Sequence, residues 1–424
     1  MLLGLSFALL SQPRLRLLAA ARFVSVLGSA FGSIAVSFGV LALPGATPWD
    51  LSLVLACQAV PQLVFVLWGG VLGDRVPSRF RLVTVTETAA AAAACWAGLA
   101  ALFATGGPIW LIAALAALGG ATRALFSPAL EGVVIDVVED KDDRQRANAL
   151  LKVSTNTARL LGMALAGVMV SLLGPALALA VDAASFAVCA VLFSVLGRRT
   201  PDRPVRYRSS ALRDLREGWR EFVAHEWLWV TTGQLAFVLA VVNAVAGLLG
   251  PMLAKEYLGG AWAWSLVMVA QVAGQVGGAG WAGRLRPARP MLLATVCTAG
   301  AALPALLLAV RAPLPVVLAG ALVYGVMWDV TMVLWRTCLQ HEVPEGAISR
   351  VSSIDLLGCL ALAPAGLAVA GPLAAVFGPD VIMLGSAGLV VVAVGVALLS
   401  GDIRTLPGDG KPRQERAPAA ASAA

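Results

Sequence analysis

Five ionisable side chains sit deep inside apolar runs of this sequence: Glu87, Arg123, Arg159, Asp182 and Asp329. An unpaired charge in lipid is costly, so such residues are paired or line a watery path. A carboxylate that meets a cation in one state and water in another can bind and release a proton as it changes sides. Asp182, Glu87 and Asp329 are therefore the candidates for proton coupling, and Arg123 and Arg159 are the intramembrane cations. Arg159 lies about 11 residues, or ~16 Å, into its run, near the middle of a bilayer. Asp182, on the next run, is its expected partner. A static structural pair is the competing use of each residue.

A second charged group is Gly70-Val71-Leu72-Gly73-Asp74-Arg75-Val76-Pro77-Ser78-Arg79-Phe80-Arg81. A carboxylate at the end of one helix, facing clustered arginines, forms a charge-assisted lock in one conformation and releases it in another. Gly70, Asp74, Arg75 and Arg79 would carry this gate. The corresponding stretch of the second half, Gly280-Trp281-Ala282-Gly283-Arg284-Leu285-Arg286-Pro287, keeps the basic residues and loses the acid. It contains Gly278-x-Gly280-x-x-Gly283, but no strand precedes it. That excludes a dinucleotide site and leaves close helix packing.

Other chemistry is poorly provided for. The six cysteines are scattered through apolar runs and the two histidines stand far apart, so no metal site or disulfide frame is expected. There is no Walker A string, no HExxH and no G-x-S-x-G, which argues against ATP-driven transport by this chain and against hydrolysis. No cofactor and no enzymatic activity are expected. Polar side chains that could line a path are Ser29, Ser33, Gln58, Gln62, Asn156, Gln234, Asn243, Gln271 and Gln275. Ser25, Ser29, Ser33 and Ser37 recur every four residues, although helix packing uses small residues equally well.

These residues need a membrane scaffold. Of 424 residues, 59% are hydrophobic and 13% charged, about half the usual charged share of a soluble domain. Such a chain could not cover a soluble surface. Twelve runs are long enough to cross a bilayer: 17–43, 51–73, 82–105, 109–133, 148–173, 176–197, 225–249, 262–283, 291–310, 314–336, 351–376 and 380–400. Gly106-Gly107-Pro108, Gly174-Pro175 and Gly378-Pro379 fit tight turns between antiparallel spans. Trp68, Trp110, Trp262 and Trp264 fit an interfacial belt, while Trp96 and Trp328 lie deeper. Lysine and arginine crowd the loops on one side, and the opposite loops hold only Lys255 and Arg311. The positive-inside rule then places both termini in the cytoplasm of a multi-pass plasma-membrane protein. The net charge of +7 reads as topology and not as a nucleic-acid surface. MLLGLSFALL reads as a lead-in to the first span and not as a cleaved signal.

The expected domains are a six-helix bundle over 1–197, a cytoplasmic linker over 198–224, a second six-helix bundle over 225–400 and a disordered tail over 401–424. In the linker, Leu212, Leu215, Trp219 and Phe222 give a helix one apolar face. It lies on the membrane surface or serves as a solvated connector. A shift of 204 residues lays Arg146 on Arg350, Gly162 on Gly366, Gly167 on Gly371 and Gly174-Pro175 on Gly378-Pro379. Duplication explains this register. Gly162, Gly167, Gly366 and Gly371 would allow helices to bend or approach, and two related halves suggest a path between them.

The 70–81 stretch resembles the loop pattern G-x-L-x-D-R-x-G-R-R of the major facilitator superfamily, with Pro77 at the second glycine. Gly162-Met163-Ala164-Leu165-Ala166-Gly167 is similar to the glycine/proline motif of its antiporters, with Met163 at the proline. Phe126-Ser127-Pro128-Ala129, Val181-Asp182-Ala183-Ala184-Ser185-Phe186 and Val343-Pro344-Glu345 running into Ser349-Arg350-Val351-Ser352-Ser353 resemble the drug:proton antiporter branch that holds macrolide and siderophore exporters. The resemblance implies the all-α major facilitator fold and a monomer that alternates access. It also implies proton-driven efflux of a small hydrophobic or amphiphilic molecule, as in multidrug resistance. A proton-coupled importer of a metabolite and a non-transporting sensor or scaffold are the other readings.

Overall fold

The structure, a computed structural model, describes residues 12–75, 78–138, 141–199 and 211–407; within them, the side chains of 66–75, 78–81, 127–129, 131–132, 135–136, 141–146, 211–215, 345–346 and 349 lie outside the described set. The described residues form helices and no strand. In chain order, α1 is Pro13–Ala42, α2 Pro48–Arg75, α3 Ser78–Thr105, α4 Ile109–Val137, α5 Lys141–Leu173 and α6 Pro175–Arg199. A connecting helix, Ala211–Ala224, follows. Next come α7 Glu226–Leu258, α8 Ala261–Ala282, α9 Pro290–Ala309 and α10 Leu314–Glu342. α11 runs Glu345–Leu360 and, after a turn, Ala363–Phe377, and α12 is Pro379–Ala397. Ten of these are long and apolar enough to span a membrane, while α2 and α8 occupy the other two expected spans.

Helix ends follow local chemistry. Thr47 and Asp50 form a capping box at α2, with Thr47 N donating to Asp50 Oδ2 at 2.8 Å. Gly174 and Gly378 both take φ 86°, the left-handed conformation that glycine adopts freely, and the proline that follows each starts the next helix. Both basic residues of the sparse loops are tied down. Arg311 Nη2 bonds Asp380 at 2.8 Å, and Lys255 Nζ donates to the Leu41 carbonyl. Trp110 and Trp262 are exposed, as a belt requires, but Trp264 is 2% exposed and belongs to the core. Trp96 is buried and Trp328 packs edge-on to Tyr324.

Two compact units share the chain. The first holds Met1–Arg208, Ala246–Val269 and Leu367–Gly378, and the second holds Ser209–Val245, Ala270–Gly366 and Pro379–Ala424. In the first, α1 packs on α5 and α6, α2 on α4, and α3 on α4 and α6. In the second, α7 packs on α11 and α12, and α9 on α10 and α12. Four of the five pairings of the first recur six helices on in the second, so the repeat is structural.

The glycines show it atom by atom. A Cβ on Gly162 would stand 2.6 Å from the Leu27 carbonyl oxygen, and one on Gly366 would stand 2.8 Å from that of Ala240. A Cβ on Gly120 would overlap the Gln58 carbonyl, and one on Gly325 the Gln271 carbonyl. A shift of 213 carries Leu27 to Ala240 and Gln58 to Gln271, while Gly120 to Gly325 is a shift of 205. Small residues let backbones approach where lipid offers no hydrophobic drive. Gly120→Ala and Gly325→Ala are each expected to destabilise the protein by about 1–3 kcal/mol through overpacking. Thermal unfolding of the detergent-solubilised chain measures this. Of Gly278, Gly280 and Gly283, only Gly278 packs closely, against Val326; the other two are exposed.

The connecting helix docks on α11, with Gly218 against Arg350 and Ile354, and Arg350 Nη1 bonds Glu217 at 2.6 Å. Phe222 is buried with Trp227 and Ile354, whereas Trp219, expected on the same apolar face, is 56% exposed and stacks on the Phe222 ring. Residues 401–405, expected to begin a disordered tail, form one more helical turn, because Ser400 caps it and Ile403 is buried.

Candidate functional site

Asp182 stands seven residues into α6 and is completely buried. Its notch is made by absent side chains. Gly28 and Gly32 lie one turn apart on α1, and a Cβ on Gly32 would overlap Asp182 Oδ2. Ser185 donates to the Asp182 backbone carbonyl at 2.7 Å and stands 3.4 Å from Oδ1. Oδ2 has no hydrogen-bond partner among the described residues.

The cation whose field reaches Asp182 is Arg123 of α4. Its guanidinium lies 6.0 Å from the ring centre of Trp96. Arg159, the expected partner, is exposed and has no hydrogen bond or ion pair among the described residues. The reason is helical phase. Ala158, Gly162 and Ala166 make the inward stripe of α5, and Arg159 is turned about 100° from Ala158. Phe126 meets Phe186 edge-on at 5.8 Å and Phe193 at 6.0 Å, so two of the strings singled out in the sequence lock α4 to α6 beside Asp182.

The remaining candidates are spread out. Glu87 is exposed on α3, and Asp329 of α10 is half-buried with a partner of its own. Gly70, Asp74 and Arg75 close α2 and Arg79 opens α3, but their side chains lie outside the described residues. Ser33 and Gln62 are exposed; Ser29, Gln58, Asn156, Asn243, Gln271 and Gln275 are half-buried. Gln234 does not face a path. It is 5% exposed and its amide donates to Thr298 Oγ1 at 2.6 Å, holding α7 to α9.

Ser37 of the α1 serine stripe, with Ser52 and Ser265, which sequence reasoning passed over, makes the next layer. Pro251 has no N–H for the carbonyl of Gly247, and a π-turn over Val245–Leu249 precedes it. That freed carbonyl accepts Ser37 Oγ at 2.7 Å. Pro372 likewise frees the Ala368 carbonyl, 3.2 Å from Ser52 Oγ, which also donates to the Leu367 carbonyl. Ser265 Oγ donates to the Met163 carbonyl at 2.6 Å. Ser52 and Ser265 are repeat equivalents, as are Leu367 and Met163.

Each of these last two serines seats against a glycine one turn beyond its acceptor. A Cβ on Gly371 would overlap Ser52 and stand 2.5 Å from the Pro48 carbonyl oxygen. One on Gly167 would overlap Ser265 and stand 2.8 Å from that of Ala261. Gly167 and Gly371 thus serve close approach, α5 to α8 and α11 to α2, at the end of the first unit that carries the Gly-Pro turns. Proline at 251 and 372 opens the helix ladder by its own chemistry, and the packing decides which hydroxyl fills each gap. Buried Arg22, and Asp355 with its partner Thr232, also escaped notice because their runs read as plain spans.

Residues 18–363 match the family described as Major Facilitator Superfamily. No curated protein matches the sequence. Among solved structures, a mutant of the nucleoside transporter NupG is similar at TM-score 0.71 and 12% identity, over 90% of this chain and 99% of that one. A POT family transporter in complex with 5-aminolevulinic acid is similar at TM-score 0.69 and 12% identity, over 92% of this chain and 96% of that one. At such identity the likeness is one of fold.

Proposed function

The chain belongs to the Major Facilitator Superfamily, and on that premise we propose that this transporter exports a small hydrophobic or amphiphilic molecule by proton antiport with alternating access. The observation that carries the reading is the glycine notch holding Asp182. A charged carboxylate there would have no hydrogen bond on Oδ2 among the described residues, and a charge left without one in a membrane interior is costly. A neutral acid fits the notch. The proton enters from outside when the notch is open to that side and leaves inward after the swing. Each proton moving inward releases about 2.3 kcal/mol per 100 mV, which drives cargo the other way.

The serine–glycine contacts support a closed outer mouth in this conformation. The basic loops support a plasma-membrane protein with both termini cytoplasmic. The gate at Asp74, Arg75 and Arg79 is assigned to the inner face, and Glu87 and Asp329 are secondary proton candidates. Arg159, without a partner among the described residues and deep in its span, supports a water-lined path on its side of α5. Ser29, Ser33, Gln58, Gln62, Asn156, Asn243, Gln271 and Gln275 would line it, in a protein acting as a monomer. A proton-coupled importer is the second reading, favoured by a fold shared with a nucleoside transporter and a POT family transporter.

Purified full-length chain in proteoliposomes, with ethidium and erythromycin as probes and an imposed proton gradient, tests the direction. Probe movement against the proton flow supports export. Movement with it supports import, and a deletion strain that accumulates neither more nor less of either probe points to a scaffold.

A further inference from the structure

Asp355 of α11 is a buried carboxylate, 7% exposed, with no part in the cycle proposed for Asp182. Thr232 Oγ1 of α7 lies 2.5 Å from its Oδ1, and Cys359 Sγ, one turn further along α11, lies 3.7 Å from the same oxygen. No cation pairs with it among the described residues. Among the described side chains, the charged groups on the elements packed around it are engaged or exposed. On the connecting helix, Glu217 pairs with Arg350, Glu221 stands beside His225, and Arg216 and Arg220 are exposed. On α7, Glu226 accepts from Ser400. On α10, Glu342 has a partner of its own, and Arg336 and His341 are exposed.

Packing alone does not require an acid here. The repeat equivalents of Asp355 and Thr232 are Leu151 and Ala19, both buried, so the first half fills the same place with apolar groups. The hydrogens explain the difference. Thr232 Oγ1 also lies 2.9 Å from the Leu228 carbonyl oxygen, and a hydroxyl has one hydrogen. With Asp355 ionised, the hydroxyl donates to Oδ1. With Asp355 protonated, the acid donates to Oγ1 and the hydroxyl turns to the Leu228 carbonyl. Both protonation states are satisfied by rotating one O–H, with no heavy atom moved.

We propose that Asp355 is a second proton-binding site, in the second half of the chain, with Thr232 as its reversible partner. The proposal rests on the proton-driven reading above, and it places a proton stop on the side of the connecting helix.

Infrared spectra of the full-length protein in lipid, titrated from acid to alkaline pH, read the C=O stretch of protonated carboxyls. Asp355→Asn is expected to remove one titrating component that Asp182→Asn leaves intact. Thr232→Val is expected to shift the frequency of that component, and Thr232→Ser to restore it. An Asp355→Asn spectrum superimposable on the wild type at every pH overturns the proposal. If Asp355→Asn does not fold, an unshifted band in Thr232→Val overturns it equally. Loss or survival of the Asp182 component bears only on the antiport reading, so the two fail separately.

Discussion

Asp182→Asn is expected to yield a folded protein that no longer concentrates its cargo. Asparagine has the shape of the neutral acid, and its amide fits the space left by Gly28 and Gly32. It keeps the Phe126–Phe186 contact one turn away. It cannot ionise, so no proton is carried. One pH unit across the membrane supplies about 1.4 kcal/mol per proton, which sustains about a tenfold cargo gradient at equilibrium. In proteoliposomes the variant's gradient should fall to about unity while cargo exchange at equal pH continues. Persistent pH-driven accumulation would remove Asp182 from the coupling mechanism.

The second large effect concerns the serine–glycine contacts. In Gly167→Val with Gly371→Val, branched side chains would meet Ser265 and Ser52 and the carbonyls of Ala261 and Pro48. Overpacking at each site costs about 1–3 kcal/mol. That cost falls only on the conformation in which these helices touch. The two together shift the population away from it by about 2–6 kcal/mol, a factor of ~30 or more. The expected result is transport reduced at least ~30-fold, with thermal stability near that of the parent. A cysteine placed at Ser33 should then react faster with a membrane-impermeant maleimide applied from outside. Unchanged labelling and transport would show that the contacts are incidental to the cycle.

Most of the fold was legible because lipid simplifies the problem. A bilayer core demands apolar runs of fixed length whose backbone bonds close internally. The twelve runs therefore appear in plain composition, and Gly174-Pro175 and Gly378-Pro379 mark turns whose glycines do take positive φ. The duplication was visible too, since the register of Gly162 and Gly366 reflects one helix crossing used twice. The site was less legible. Helical phase, which composition does not report, separates Arg159 from Asp182 and turns Gln234 into the core. Asp355 lies in a run whose composition is that of an ordinary span.

The sequence by itself thus determined the elements, their number, their turns and their twofold repetition, because each depends on local chemistry and on the thickness of lipid. Only the tertiary structure decided the partners: Asp182 with Gly28 and Gly32, Ser52 with the Ala368 carbonyl that Pro372 leaves free, and Thr232 with Asp355. Those pairings join residues more than 50 positions apart. They depend on the rotation of each helix about its axis, which is fixed by where neighbouring backbones can come close enough to touch.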